Sequence, residues 1–171
     1  QAGPVGALSE INQLSSDYVR RVYFKEFLEQ ARPAGSLLDQ MLDQASRQIS
    51  SDYELAELLI AIAATVSPSA IDWNTYLNAL SSVSSDYEHR RVLSIVSDTG
   101  LSDDALTRLI QSSRDIRSSY EHATLLIQIA QRHQLAGGLR DAYLSAANEI
   151  SSNYERGRAL EALYDLPVPL V

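Results

Sequence analysis

The stretch ISSDYELAELL at residues 49–59 returns as VSSDYEHRRVL from Val83, as IRSSYEHATLL from Ile116 and as ISSNYERGRAL from Ile150. A weaker copy, LSSDYVRRVYF, starts at Leu14. The tyrosines of the five copies, Tyr18, Tyr53, Tyr87, Tyr120 and Tyr154, are separated by 35, 34, 33 and 34 residues. A fixed period of that length marks a helical solenoid, in which one supersecondary unit stacks on the next. The phrase itself reads as the start of a helix. Ser51 with Glu54, Ser85 with Glu88, Ser118 with Glu121 and Ser152 with Glu155 all fit S-x-x-E. In a capping box the Ser hydroxyl accepts from the amide three residues on, and the Glu side chain reaches back to the Ser amide. Two donors that a helix cannot satisfy for itself are thereby satisfied. Asp52 and Asp86 add negative charge to the first turn, where the helix dipole favours it.

Beyond the cap, apolar residues recur at helical spacing. Counting from each Tyr, positions five, six and nine hold Leu58, Leu59 and Ile62, then Val92, Leu93 and Val96, then Leu125, Leu126 and Ile129, and finally Ala159, Leu160 and Leu163. This is the buried stripe of a first helix, A. Positions one, four, eight and eleven, such as Glu88, Arg91, Ile95 and Asp98, or Glu121, Thr124, Gln128 and Gln131, read as its solvent face. A loop follows in the forms RPAGS, SPS, DTGLS and LAGG, whose length variation accounts for the drifting period. A second helix, B, then runs to the next Ile or Val. It carries a small residue eight before each Tyr (Ala45, Ala79, Ser112 and Ala146), where close approach to a partner helix is expected.

The expected organisation is one all-α domain, a right-handed solenoid of antiparallel helix pairs over residues 1–171. It comprises a half-repeat at 1–14, repeats at 14–48, 49–82, 83–115 and 116–149, and a terminal half-repeat at 150–171. About nine helices are predicted, in the order B, four A–B pairs, then A. LPVPLV at the end is helix-incompatible. The half-repeats suggest a piece of a longer array, although atypical end units also serve as caps. The chain starts at Gln1 with neither an initiator Met nor a signal-peptide pattern, as a processed or excised chain would.

Composition narrows the function classes. A net charge of −8 argues against nucleic acid or an anionic membrane as the main partner, since such binders carry a basic footprint. The absence of Cys excludes disulfides and thiolate metal sites. No apolar run approaches the roughly 18 residues of a membrane span, so direct insertion is not expected; LLIAIAATV at 58–66 is too short.

The phrase I/V-S-S-D-Y-E, followed by LAELL or HRRVL, resembles the helical repeats in extracytoplasmic C-terminal regions of bacterial membrane-anchored, peptidase-like proteins of the beta-lactam-sensor type. The resemblance covers residues 14–165. It implies an accessory helical array without catalytic residues, outside the cytoplasm, although nothing in the composition excludes a cytoplasmic location. The H-E-x-x-H of such peptidases is absent. The tetratricopeptide repeat shares the period, but its Trp-Leu-Gly-Tyr pattern is missing, and that match is one of length only.

Chemistry-bearing residues are few. His89, His122 and His133 form no H-x-x-x-H pair, and no zinc set or cofactor fingerprint is present. No G-x-S-x-G, P-loop or dinucleotide motif occurs, so no catalytic residue, metal or cofactor is expected. His89 and His122 do share a column with Arg20 and Arg156, two residues after the Tyr, with Arg90, Arg91 and Arg158 beside it. Helices packed about 8–10 Å apart would turn that column into a ladder. It reads as a stripe for anions or an acidic peptide, or else as cations paired with the Glu at position one. The tyrosines read either as a ligand platform or, more simply, as a periodic core with hydroxyls bonded across the repeat boundary. Trp73 departs from its column of Asp39, Leu106 and Arg140; half-exposed, it would be a binding anchor, and buried, a local core filler. In the second repeat Ala61 and Ala64 beside Leu55 and Ile60 make the outer stripe apolar, which is either covered or an exposed patch.

These features predict a non-catalytic scaffold for a protein or peptide partner. The alternative is a ligand-sensing accessory domain of a membrane-anchored signalling protein, which requires a concave pocket; an enzyme is the remaining class.

Overall fold

The computed structural model describes residues 3–164, and the LPVPLV expectation lies outside them. The described residues form ten α-helices, two short 3₁₀ turns and no strand. One B helix, four A–B pairs and a last A helix add up to ten, one more than the expected nine. By contacts the chain divides into two units, residues 1–92 and 93–171, with the boundary inside a helix.

In the first unit, α1 (Pro4–Ile11), α3 (Ser36–Gln48) and α5 (Trp73–Leu80) are B helices, and α2 (Asp17–Ala31), α4 (Asp52–Thr65) and the first part of α6 (Asp86–Val96) are A helices. Helix α2 packs on α4 and α3 packs on α5, so like stacks on like, while α1 lies against α2. The second unit repeats the scheme. It takes the remainder of α6, then α7 (Asp103–Ser112), α8 (Ser119–Arg132), α9 (Gly137–Asn148) and α10 (Asn153–Tyr164), with α8 on α10 and α7 on α9. The 3₁₀ turns are Pro68–Ala70 and Ser113–Asp115.

Periodicity explains the core. Leu58, Leu59, Ile62, Val92, Leu93, Val96, Leu125, Leu126 and Ile129 are all fully buried. Each such side chain contributes about 1.5–3 kcal/mol of burial. Leu160 of α10 is only half-buried. The small residues of helix B behave as expected: Ala45, Ala79 and Ala146 are buried, and Ser112 is half-buried. After α6 the chain turns through Gly100 at φ 82, a backbone conformation open to glycine and strained for other residues.

The serine half of the capping box is present. The hydroxyls of Ser51, Ser85, Ser118 and Ser152 accept from the amides of Glu54, Glu88, Glu121 and Glu155 at 3.3–3.4 Å. At Ser51, Ser85 and Ser152 the glutamate half is replaced. The Ser51 amide donates instead to Asp17 Oδ2 of the preceding repeat (2.9 Å), and the Ser85 amide to Asp52 Oδ2 (2.8 Å). Ser50 and Ser84 complete each clamp, donating amide and hydroxyl to the same Asp at 2.9–3.3 Å. In the second unit Ser119 Oγ takes the place of Asp, accepting from the Ser152 amide (3.2 Å) and lying 3.0 Å from Ser151 Oγ. A carboxylate held between helix N-termini beats the box Glu because it is fixed at its own N1 position and needs no long side chain folded back. The glutamates are thereby released to pair with arginines: Glu54 with Arg21, Glu88 with Arg91, and Glu155 with Arg158.

Candidate partner-binding surface

The column two residues after each Tyr does not form an exposed basic stripe; it turns inward. Arg20 donates to Asp17 Oδ1 (2.9 Å) and to the carbonyl of Gln48 (3.0 Å) at the end of α3. His89 is buried with Nδ1 3.4 Å from the Val83 carbonyl, and Arg156 donates to the equivalent carbonyl of Ile150 at 3.2 Å. The cause is the end of helix B. The carbonyls there, Gln48 as the last residue of α3 and Val83 and Ile150 just past α5 and α9, lie at the negative end of the helix dipole, so a cation or ring N–H beside them is favoured.

His122 fills the same column differently. It is buried, with Nε2 2.9 Å from Ser113 Oγ, whose own proton goes to the Ile110 carbonyl at 2.6 Å. A hydroxyl has one proton, so His122 must be the donor in this pair. Burial, with the nearby Arg114 guanidinium adding to it, pushes the imidazole down to about 4. A fully buried Ser that has already donated to a carbonyl, facing an imidazole that donates to it, is a helix-end seal; a nucleophile–base pair needs the opposite polarity and an open face. Among the described residues no three His, Cys, Asp or Glu side chains are grouped to hold a metal ion.

The remaining basic positions are at the surface but paired. Arg91 bridges Glu57 and Glu88 at 2.7 Å each, and Arg158 reaches Glu155 at 2.7 Å. Arg90 lies over the Tyr87 ring, 5.1 Å from its centroid. The expected pairing with the Glu at position one thus describes Arg91 and Arg158, while Arg20, His89, His122 and Arg156 serve helix ends.

Trp73 is not a half-exposed anchor. It is buried, donates Nε1–H to the Pro68 carbonyl (3.1 Å) and meets Tyr76 edge-on at 5.2 Å. It fills the space between the 3₁₀ turn and α5, where its N–H finds an acceptor. Leu55 is likewise core, so the supposed apolar patch reduces to half-buried Ile60 and Ala61 with exposed Ala64.

The tyrosines reverse the expectation of a buried ladder: Tyr18, Tyr53, Tyr87, Tyr120 and Tyr154 are between 52% and 74% exposed. Position zero of helix A points away from the stripe at five, six and nine, so the ring lies over the first turn and faces solvent. In the first unit guanidinium groups stack on these rings. Arg21 lies over Tyr18 (5.2 Å), Arg91 over Tyr53 (5.6 Å) and Arg90 over Tyr87 (5.1 Å). The buried tyrosines with bonded hydroxyls are Tyr76 and Tyr143 in the B helices, donating to the carbonyls of Leu59 and Ala159 at 2.7 Å. Both lie eleven residues before a repeat Tyr, in the column of Leu42 and Leu109, and that shared column was the signal for their burial.

No helix among the described residues is long and apolar enough to cross a membrane. Compared with protein-family models, with curated proteins and with solved structures, the chain has no significant match.

Proposed function

We propose that this chain is a non-catalytic helical-repeat scaffold that captures a protein or peptide on the outer face of its A helices. One observation carries the reading. In the recurring phrase Ser caps its own helix, Asp17 and Asp52 bind the serines of the next repeat and Glu pairs with Arg, whereas Tyr recurs in every copy and stays exposed. Tyr and Arg are the residue types enriched in binding hot spots. Rings already stacked under arginines lose little freedom when a partner covers them. The extracytoplasmic setting implied by the repeat phrase belongs to the same reading.

The experiment is a direct one. Partners recovered with the immobilised chain are titrated against wild type and against the triple variant Tyr18→Ala, Tyr53→Ala, Tyr87→Ala. Tenfold or greater loss of affinity, about 1.4 kcal/mol, with unchanged helicity, supports the scaffold. Unaltered affinity overturns the tyrosine face as its surface.

A second reading, the ligand-sensing accessory domain, is favoured by one recess. Leu28, Glu29, Arg32, Pro33, Ala34 and Val66 line a cavity of about 590 Å³ in the first unit, beside Arg32, whose φ of 44 is positive. That volume lies within the range of about 300–1,000 Å³ typical of small-molecule sites. A ligand panel that raises the melting temperature of wild type but not of Arg32→Ala would move the assignment to the sensor.

A further inference from the structure

The B helices carry a polar stripe of their own. Thirteen and nine residues before the repeat Tyr stand Gln40 and Gln44 on α3, Asn74 and Asn78 on α5, Thr107 and Gln111 on α7, and Asp141 and Ser145 on α9. Positions four apart lie one above the other on a helix, so each B helix holds a pair of hydrogen-bonding side chains on one face. None of the eight is buried.

The first unit contains an example of what this stripe can bind. Gln44 Nε2 donates to the main-chain carbonyl of Leu8 at 2.8 Å, tying α3 to α1. Asn78 holds the place of Gln44 on α5, and the carbonyl equivalent to that of Leu8 is the one of Asp43. Asn is one methylene shorter, and the Asp43 carbonyl accepts instead from Ser46 Oγ (2.9 Å) and Arg47 Nε (3.3 Å). Between the two helices is a groove of about 630 Å³, lined by Asp39, Gln40 and Asp43 of α3 and by Asn74, Thr75 and Asn78 of α5. No lining side chain is basic and none is aliphatic or aromatic. Among the described residues the side chains of Asp39, Gln40 and Asn78 have no hydrogen-bond or ion-pair partner. Asp39 is half-buried, and burial, with the charge of Asp72 adding to it, holds its carboxyl above the usual range. A cation beside it offsets both effects.

We propose that the α3–α5 groove binds a short extended peptide segment bearing Lys or Arg. A carboxamide offers donors and an acceptor that match the acceptor and donor of a peptide unit. Gln40 and Asn78, on opposite walls, meet the main chain of the segment as Gln44 meets Leu8. Asp43 is already paired with the exposed Arg47, so Asp39 is the carboxylate that takes the cationic side chain. The lining from 39 to 43 and from 74 to 78 runs about 6 Å along each helix, the length of about two extended residues. An all-polar lining gives an apolar ligand no burial to gain, whereas small-molecule pockets are predominantly apolar. The groove lies on B helices and is separate from the tyrosine face of the A helices.

Nuclear magnetic resonance titration of the whole isotope-labelled chain tests this, because the side-chain amides of Gln40, Asn74 and Asn78 give signals of their own. The probes are a blocked peptide of alternating Lys and Gly, the same peptide N-methylated along its backbone, and spermine, a cation with no peptide unit. The unmodified peptide is expected to bind saturably and to shift the groove amides. N-methylation keeps the charge and removes the N–H donors; it and the double variant Gln40→Ala, Asn78→Ala are each expected to weaken binding about tenfold, the scale of one or two hydrogen bonds. Asp39→Asn is expected to weaken binding and flatten its salt dependence more than Asp104→Asn, which removes the same charge from α7. The triple tyrosine variant is expected to bind the peptide as wild type does, so failure of one surface leaves the other standing. Equal affinity for all three probes overturns the proposal, since it describes a diffuse acidic surface. So does a peptide that leaves the groove amides unshifted, and so does a neutral oligosaccharide that shifts them where the peptide does not.

Discussion

Replacing Asp52 by Ala tests the repeat-to-repeat clamp at its best-defined point. The carboxylate accepts from the Ser84 amide (3.0 Å), the Ser85 amide (2.8 Å) and the Ser84 hydroxyl (3.0 Å to Oδ2). Hydrogen bonds to a charged group contribute about 1.5–3 kcal/mol each when sheltered. Ser84 is exposed and Ser85 half-buried, so water replaces part of what is lost and about 1 kcal/mol per amide is the appropriate scale. The favourable placement of Asp52 in the first turn of α4 adds about 0.5 kcal/mol. The expected loss is therefore about 2–3 kcal/mol, or a fall in urea midpoint of about 1–1.5 M at a slope of about 2 kcal/mol/M. Asp52→Asn keeps an acceptor oxygen and is expected to lose about half as much. The control is Asp104→Ala, which removes a first-turn acid and an exposed pair with Arg108, worth about 0.5–1 kcal/mol together. Urea unfolding followed by circular dichroism gives all three values. An Asp52→Ala loss no larger than that of Asp104→Ala would show that the carboxylate does not join the repeats.

Other outcomes follow from the same contacts. Ser85→Ala should lose about 1 kcal/mol as an N-cap, and Ser84→Ala less, since Ser84 Oγ serves only the exposed side of the Asp52 clamp; equal losses in denaturant unfolding would count against this capping register. His122 is held at about 4 in the fold against 6.5 for the free side chain, so the unfolded chain binds the extra proton. Its stabilising contribution is complete above pH 6.5 and is lost as pH falls towards 4, by at most about 3 kcal/mol; wild type should lose more stability than His122→Gln over that interval, and an NMR titration midpoint near 6.5 would refute the assignment. Trp73→Ala should cost about 3–5 kcal/mol in thermal or urea unfolding, a core-sized loss that an exposed anchor would not produce. Leu93→Ala should cost about 2–5 kcal/mol and Tyr87→Ala no more than about 1 kcal/mol, an ordering that the same unfolding curves check.

How much of this was legible in the sequence depends on the reach of each signal. Helix positions and the stripe from Leu58 to Leu163 follow from local periodicity, which one chain segment encodes by itself. The serine caps were readable for the same reason, because Ser51 and Glu54 lie on one turn. The Asp17 and Asp52 clamps were not, since a carboxylate that bonds residues one repeat away looks in sequence like ordinary first-turn charge. The basic column misled for a related reason. Arg20 and Arg156 point at carbonyls of neighbouring segments, and backbone acceptors leave no residue signature. For the recurring Tyr, recurrence by itself does not tell a core position from a surface one. Position zero lies about 180° from position nine on the helix wheel, the angle that placed the rings outside.

The most direct test of the account is residue-level oxidative footprinting of all nine tyrosines under native conditions. Tyr18, Tyr53, Tyr87, Tyr120 and Tyr154 should label readily, while Tyr76 and Tyr143 stay protected until the chain is unfolded. Protection of the recurring tyrosines at the level of Tyr76 and Tyr143 would contradict it, returning the ladder to the core and removing the surface on which the scaffold reading rests.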